Sequence, residues 1–341
     1  MRSKVDVSFV VPYVELDHLV ERTIRGIKAQ KTSLTVEVIL VNNGPGATPA
    51  MDGVLSLRCE KPGAGSARNF GAKEARGRFL AFVDSDVILD ENWVEECYAE
   101  ITKSPRIAAV QTPVVTSSLN EASPSFLDRF RYVYKESITR GSFVFLNKDN
   151  IIINTAACLL NREVFWFVGG FEEGLLRAED RHLTLKLLAK GYFLSCTMKT
   201  SSKVYNTKGL LKFAWKFHRQ GRDDRRINEA LGVAEVKKPR ALNSSSVLYR
   251  TYRRLCLFFF SLGYAKFEDP IAPVSFGPSL LNPLLGLAPS TLVIRGAEEL
   301  ILINTKSQQV VTFPLKEFDW KFPLTFGGQL QASMKEQGFI L

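Results

Sequence analysis

Three short apolar runs, at residues 7–11, 36–41 and 79–83, and a fourth strand-like run at 110–115, constrain the fold of this chain more than any other feature. Each is long enough for one buried strand and too short for an ordinary helix. Between the first two, Leu16, Leu19, Val20, Thr23, Ile24 and Ile27 recur at spacings of three and four. That period predicts an amphipathic helix, with Glu15 and Asp17 in an acidic first turn that suits the helix dipole. Gly63-Ala64-Gly65 leads into a small-residue helix over 66–75, just before the third run. Asp90 is placed to cap a helix carrying Trp93, Val94, Cys97 and Ile101, which Pro105 stops. Strand–helix–strand alternation of this kind predicts an α/β fold, a mostly parallel sheet with helices on both faces. Ligands of such sheets bind beyond the carboxyl ends of the strands. Pro12, Asn42-Asn43 and Asp84-Ser85-Asp86 all fall at such ends, so topology gathers three separate stretches on one edge.

Asp84 and Asp86 follow the third run directly. On an extended backbone alternate side chains share a side, which predicts that both carboxylates face one way. Two carboxylates at a strand tip make a hard-oxygen site for Mg²⁺ or Mn²⁺, shared with phosphate oxygens. Taken alone, the pair reads equally as a solvated turn.

Beyond the fourth run, residues 116–150 are polar and aromatic without a clear period, which suits either a loop over substrate or a surface excursion. Residues 151–160 read as a strand, and Gly169-Gly170-Phe171 as a tight turn. A helix is expected from Asp180 through Leu183, Leu187 and Leu188 to Gly191. A basic helix over about 209–219 and an aromatic-rich one over 246–264 follow. From 270 the chain is first Pro-rich. Residues 291–303 and 310–313 then predict a hairpin across Lys306-Ser307, and a short helix ends the chain. The expected organisation is a domain over 1–235, with halves 1–115 and 116–235. A basic, aromatic helical segment covers 236–269, and a small α+β extension covers 270–341.

With these pieces in order, the chain resembles the family 2 glycosyltransferases of the GT-A (Rossmann-like) fold over roughly residues 5–222. Val7-Ser8-Phe9-Val10-Val11-Pro12 is similar to the family's opening strand, and Val38-Ile39-Leu40-Val41-Asn42-Asn43-Gly44 to its nucleotide-binding turn. The stretch from Gly65-Ser66-Ala67-Arg68-Asn69-Phe70-Gly71 to Phe82-Val83-Asp84-Ser85-Asp86 resembles the segment ending in the Asp-x-Asp metal motif. Gly169-Gly170-Phe171 with Glu179-Asp180 resembles the acceptor-side motif that holds the catalytic base. The resemblance implies an inverting transfer from a nucleotide-diphosphate sugar, UDP-linked in the first instance, to an acceptor hydroxyl. The acceptor would be a glycan, a lipid-linked saccharide or a peptide.

Asp86 is then implied as the direct ligand of Mn²⁺ or Mg²⁺, and Asp84 as a contact of the ribose or a metal-bound water. Asn206 stands about where many relatives carry a third ligand, a histidine. Asp180 is implied as the base, where its bare-sequence role is a helix cap. Arg68 is implied beside the nucleotide's base or diphosphate, and Pro12, Asn42 and Asn43 along the nucleotide. Asparagine, in place of the frequent aspartate, leaves the base identity open. Arg219 or Arg222 would approach the diphosphate from the segment Phe217-His218-Arg219-Gln220-Gly221-Arg222, which is similar to a late basic loop of the family. His18 and His182 read as structural.

Charge is distributed unevenly. Residues 203–254 hold 14 Lys/Arg against 4 Asp/Glu, which equals the whole net charge of +10; the rest has 31 of each sign. This points either to a local anionic partner or to a solvated helical face. Lys208, Lys212 and Lys216 share one face of the basic helix, largely opposite Leu210, Leu211, Ala214 and Phe217. That pattern suits an anionic membrane surface. No nucleic-acid motif accompanies the charge, so no nucleic acid is expected as partner. No apolar stretch reaches the roughly 18–20 residues that span a bilayer, and the first run is too brief for a signal peptide. Five scattered cysteines without a Cys-x-x-Cys predict a reducing, cytoplasmic setting, and the basic helix points to a place at the inner face of the membrane. Two rival functions remain at this level. One is a sugar-phosphate nucleotidyltransferase, against which Pro12-Tyr13-Val14-Glu15 stands where its Gly-rich loop belongs. The other is a non-catalytic nucleotide-sugar-binding scaffold.

Overall fold

The computed structural model describes residues 5–117, 152–205, 210–230 and 247–265, the strand pieces 143–144, 291–295, 299–304 and 310–314, and the single positions Phe126, Phe130, Ile271 and Lys335. Numbered in chain order, the strands of the main sheet are β1 (Val7–Tyr13), β2 (Val36–Asn42), β3 (Leu55–Arg58), β4 (Phe79–Val83), β6 (Ile107–Gln111), β9 (Ala157–Asn161), β10 (Phe193–Cys196), β12 (Thr291–Arg295), β13 (Glu299–Asn304) and β14 (Val310–Pro314). They lie in the order β14-β13-β12-β10-β6-β9-β4-β1-β2-β3. Among the described strands only β9 and β13 run against the rest. A second sheet joins β5 (Val87–Leu89), β11 (Ser202–Tyr205), β7 (Val114–Ser117) and β8 (Phe143–Val144) in that order.

The predicted covering of both faces is present. On one face α1 (His18–Lys28) and α3 (Trp93–Ile101) bury Val20, Ile24, Trp93 and Cys97 against Val7, Phe9 and Val11. On the other, α2 (Ala64–Glu74), α4 (Arg162–Phe167) and α5 (Glu179–Ala189) bury Ala67, Phe165 and Leu183 against Val10, Ile39 and Phe82. Strands buried on both faces need no polar alternation, which is why β1 and β4 read as continuous apolar runs. Asp17 caps α1 by accepting from Leu19 N (2.9 Å) and Val20 N (3.1 Å), so it stands before the first turn rather than within it. Asp90 caps nothing with its side chain: its carboxylate accepts from Ser201 N and Oγ, and Asn92 precedes α3.

Two element boundaries differ from expectation for reasons that concern proline. β1 continues through Pro12 to Tyr13. Its pairing with β4 ends at Val10↔Phe82 while its pairing with β2 goes on to Tyr13↔Asn42, so Pro12 sits where β1 has only one neighbour. The run 110–115 is not one strand. Pro113 separates β6, in the main sheet, from β7, in the small one.

The C-terminal part also differs. The expected hairpin is a three-stranded meander, because residues 291–303 form two strands, β12 and β13, rather than one. β12 pairs in parallel with β10 at Leu194↔Ile294, so these strands extend the main sheet. The basic helix is longer than predicted. α6 spans Leu210–Ala230 and packs against α7 (Val247–Ala265). Gly221 makes the crossing close: a Cβ there would lie 2.1 Å from the Phe260 carbonyl oxygen. All five cysteines are free and buried, as small apolar residues.

Candidate active site

β4 delivers the chain to Asp84 at the carboxyl edge of the sheet. There the backbone turns, with Val87 N–H donating to the Asp84 carbonyl at 3.1 Å. Asp84-Ser85-Asp86-Val87 is therefore a β-turn, not the extended strand tip expected from the sequence. Separate elements fix its backbone. Asp84 N–H donates to Ala156 O (2.9 Å), and Tyr205 N–H at the end of β11 donates to Asp86 O (2.8 Å). The Thr23 hydroxyl, on the buried side of α1, reaches the carbonyls of Ser85 (3.0 Å) and Val87 (2.8 Å). The small sheet thus clamps the acidic turn against the large one.

Arg68 on α2 joins this turn to the acceptor-side motif. Its side chain is only 3% exposed and lies over the Phe171 ring at 5.5 Å. Nη2 donates to Asp84 Oδ1 at 2.6 Å, and Nη1 to Glu179 Oε1 at 2.8 Å. The two carboxylates raise its affinity for the proton further, against the effect of burial, and it stays charged. Burial of such a cation is tolerable only with partners of this quality. The next residue makes a second link. Asn69 donates Nδ2–H to Phe171 O and accepts Phe171 N–H on Oδ1, both at 2.9 Å. Gly170 holds φ at +60°, and a Cβ there would lie 2.7 Å from Asn69 Oδ1. Glycine is required at this turn on both counts.

Glu179 and Asp180 open α5 immediately after Ala178, the only non-glycine residue with positive φ among those described (φ 59°, ψ 17°). A left-handed alanine is held by its surroundings. Here those are Leu175, Ile227 and Ile271, with which Ala178 is buried. The loop before it is gripped by α6. The fully buried Asp223 accepts from Leu176 N (2.9 Å) and Arg177 N (2.7 Å) and pairs with Arg222 Nε (2.9 Å). Arg226 donates to Gly174 O, and Arg181 reaches back to Asp224 (2.8 Å) and Asn228 (2.7 Å). Asp180 remains partly open to solvent. Its pKa is pushed up to about 6, first by burial and then by the neighbouring Glu179. The Arg181 N–H, Arg177 and Arg68 oppose the rise. A carboxylate so placed is both ionised at neutral pH and basic enough to take a proton.

The other predicted residues fall as follows. Pro12 is buried in β1. Asn42 is fully buried and spends its amide on the following loop. Oδ1 accepts Gly44 N–H (2.8 Å) and Nδ2 donates to Gly46 O (2.7 Å). Asn43 donates to Cys59 O (3.0 Å) and Lys61 O (2.6 Å). Both asparagines therefore shape the turn at this edge, the part their residue type predicts. Arg219 is exposed on α6, whereas Arg222 is committed to Asp223, so the expected basic loop is helical here and its two arginines serve different ends. His182 is buried without a partner on either nitrogen, and burial lowers its pKa to about 4. Asn206 lies outside the described residues.

Among the described residues no group of three or more His, Cys, Asp or Glu could hold a metal ion. The donor chemistry of the turn still fits Mg²⁺ or Mn²⁺, which take one or two carboxylates together with waters and substrate phosphates. Asp84 would share its carboxylate with Arg68 in doing so. Sequence reasoning missed Asn69, Ala178 and Asp223. Asn69 lay inside a motif already singled out; Asp223 was hidden in a basic segment, where the acidic pair Asp223-Asp224 is itself a signal.

A mostly parallel sheet covered on both faces, with an acidic turn after a central strand, defines an α/β protein with its candidate site at the carboxyl edge of the sheet. Residues 8–169 match the family model described as glycosyl transferase family 2. It is 25% identical over 223 residues to O-antigen biosynthesis protein RfbC of Myxococcus xanthus, a match covering 59% of this chain and 17% of that protein. It is 25% identical over 195 residues to the pre-mycofactocin glycosyltransferase of Mycobacterium tuberculosis, covering 54% of this chain and 40% of the relative. The chain thus spans well under half the length of these relatives. Among solved structures it is similar to S. aureus TarS 1-349 in complex with UDP-GlcNAc (17% identity, TM-score 0.48, 68% of each chain). It is also similar to the mannosyltransferase PcManGT of Pyrobaculum calidifontis in complex with GDP-Man and Mn²⁺ (14% identity, TM-score 0.46, 77% of this chain and 74% of that one).

Proposed function

We propose that the chain is an inverting glycosyltransferase. It would move a sugar from a nucleotide-diphosphate donor to an acceptor hydroxyl, with Asp180 as base. The observation that carries this reading is the Arg68 bridge, which puts the Asp84 turn and the Glu179-Asp180 pair at one centre. Chemistry that expels a diphosphate on one side and deprotonates a hydroxyl on the other needs both groups together. In the transfer, the acceptor oxygen attacks the anomeric carbon and its proton passes to Asp180. The bond from that carbon to the diphosphate oxygen breaks, and the nucleoside diphosphate leaves. Direct attack from the opposite face inverts the centre, as in inverting hydrolases. A divalent ion held by Asp86 and Asp84 would supply neutralisation of the leaving group's charge. Arg68 holds Asp84 and Glu179 in place, Asn69 fixes the turn at Phe171, and Asp223 anchors the loop that enters α5. The match to the glycosyl transferase family 2 model over residues 8–169, together with relatives named for O-antigen biosynthesis and glycosyl transfer, supports the activity and a glycan acceptor. A thermal-shift panel of nucleotide sugars with and without Mn²⁺ tests the donor side. A Mn²⁺-dependent rise with one donor is expected, and Asp86→Ala should abolish it. No rise with any donor, or an unchanged response in Asp86→Ala, would refute the assignment. Donor turnover separates an enzyme from a scaffold that only binds.

A further inference from the structure

The helix α7 is amphipathic with its large apolar residues on the outside. One face is spent on α6: Cys256 and Phe260 are buried with Phe217, and the buried Arg253 lies over the Phe217 ring at 5.6 Å. The other face carries Val247, Leu248, Leu255, Phe258 and Leu262, which are 37–70% exposed; from Leu248 they recur at spacings of seven, three and four, and Val247 adjoins the row. Trp215 on α6, 47% exposed and edge-on to Phe259 at 5.6 Å, borders this stripe. Isolated exposed apolar residues are ordinary, but a row of this kind along one helix marks an interaction surface. Arg250 and Arg254, one turn apart and both exposed, edge the same stripe. They belong to the segment that holds the chain's entire positive excess.

We propose that the exposed face of α7 docks on an anionic lipid bilayer, lying in the interface with its apolar row in the acyl boundary and its arginines at the headgroups. Charge complementarity selects this occupant. A second copy of the chain would bring a stripe edged by the same positive charges, whereas an anionic bilayer accepts both the apolar row and the arginines. No helix among the described residues is long and apolar enough to cross a membrane, which fits a helix lying on one. The structure also moves the surface from where the sequence pattern put it. Phe217, the described member of the apolar face of α6, faces α7 and is buried, so the lipid-facing row belongs to α7. This inference does not depend on the proposed glycosyl transfer, and its test reads binding alone.

The experiment is co-sedimentation of the full chain with vesicles of phosphatidylglycerol and phosphatidylcholine, and with phosphatidylcholine alone, at low and high salt. Binding to the anionic vesicles is expected, weaker by about tenfold or more on neutral ones or at high salt. Leu255→Glu/Phe258→Glu should lose binding by on the order of a hundredfold while keeping the wild-type melting temperature, since both side chains are exposed. Arg250→Gln/Arg254→Gln should weaken binding by about tenfold at low salt only. Independently of those variants, brominated lipid should quench tryptophan fluorescence in the wild type and less in Trp215→Phe. The proposal is overturned by wild-type protein left in the supernatant with anionic vesicles at low salt, or by undiminished binding of Leu255→Glu/Phe258→Glu. It is overturned equally by a dimer in light scattering that this double variant dissociates, which would assign the face to a second copy.

Discussion

Replacing Asp180 by Asn should make the protein more stable while making it inactive. The carboxylate has a pKa of about 6 in the folded chain against an ordinary 3.8, because burial and Glu179 disfavour its charged form. Its ionisation therefore costs folding free energy. The sign follows from linkage: the folded state holds this proton more tightly than the unfolded one. Stability is full below the ordinary carboxylate pKa, falls as pH rises through about 6, and stays low above it. Two pKa units correspond to roughly 3 kcal/mol, and solvent at the partly open side chain screens that to about 1–2 kcal/mol. Asn keeps the acceptor oxygen that meets Arg181 N–H at 2.7 Å and carries no charge. In paired urea titrations, Asp180→Asn should exceed wild type by about 1–2 kcal/mol near neutral pH and match it near pH 4. Transfer should fall by about 10²–10⁴ with nucleotide binding retained. An equal difference at both pH values, or no gain near neutrality, would show that Asp180 is not the strained acid described here. Full transfer activity in the variant would remove it as base.

Three further outcomes are expected. Arg68→Met should destabilise the fold by about 2–4 kcal/mol in urea unfolding, because it strands the Glu179 carboxylate, 9% exposed, beside Asp84; a loss under 1 kcal/mol would mean the bridge is slack. Asp223→Ala should cost about 1–3 kcal/mol by leaving two half-buried backbone donors, Leu176 and Arg177, without their acceptor. It should lower kcat without moving the pH profile, and a shifted profile would give Asp223 a direct part in proton transfer. In the wild type, the transfer rate should rise with pH through about 6 and level off above it, as measured in initial rates.

The sheet was legible because its central strands are buried on both faces and so stand out as unbroken apolar runs. Much of the site was legible too, since Asp84, Asp86, Arg68 and Asp180 each sit in a motif bounded by a strand or a glycine turn. What the sequence concealed was non-local or punctuated by a single residue. Nothing in the neighbourhood of Arg68 announces that it spans Asp84 and Glu179, 111 residues apart from the latter. Alternation along a strand suggested that Asp84 and Asp86 face one way, but the hydrogen bond that turns the chain at Val87 overrides strand geometry. Pro113 interrupts what reads as one strand and marks a division between two sheets that run length alone hides. The second half of α6 escaped because its charged residues face loops and helix α7 rather than forming a plain apolar stripe. Those same residues, Asp223, Asp224 and Arg226, are the ones that anchor the site.

The pairing of β12 with β10 changes what counts as a self-sufficient unit. Arg68, Asp84, Glu179, Asp180 and Asp223 all precede residue 231, and a chain cut there would keep them but lose Ile271, which packs with Ala178. It would also leave β10 bare along one side, a row of unpaired amides and carbonyls at the rim of a wide sheet, open to any other strand in solution. The meander of β12, β13 and β14 moves that rim outward to a strand that ends in Pro314. The C-terminal strands therefore shield that rim as well as packing against α5, so a shortened chain that stays in solution should keep residues 291–314.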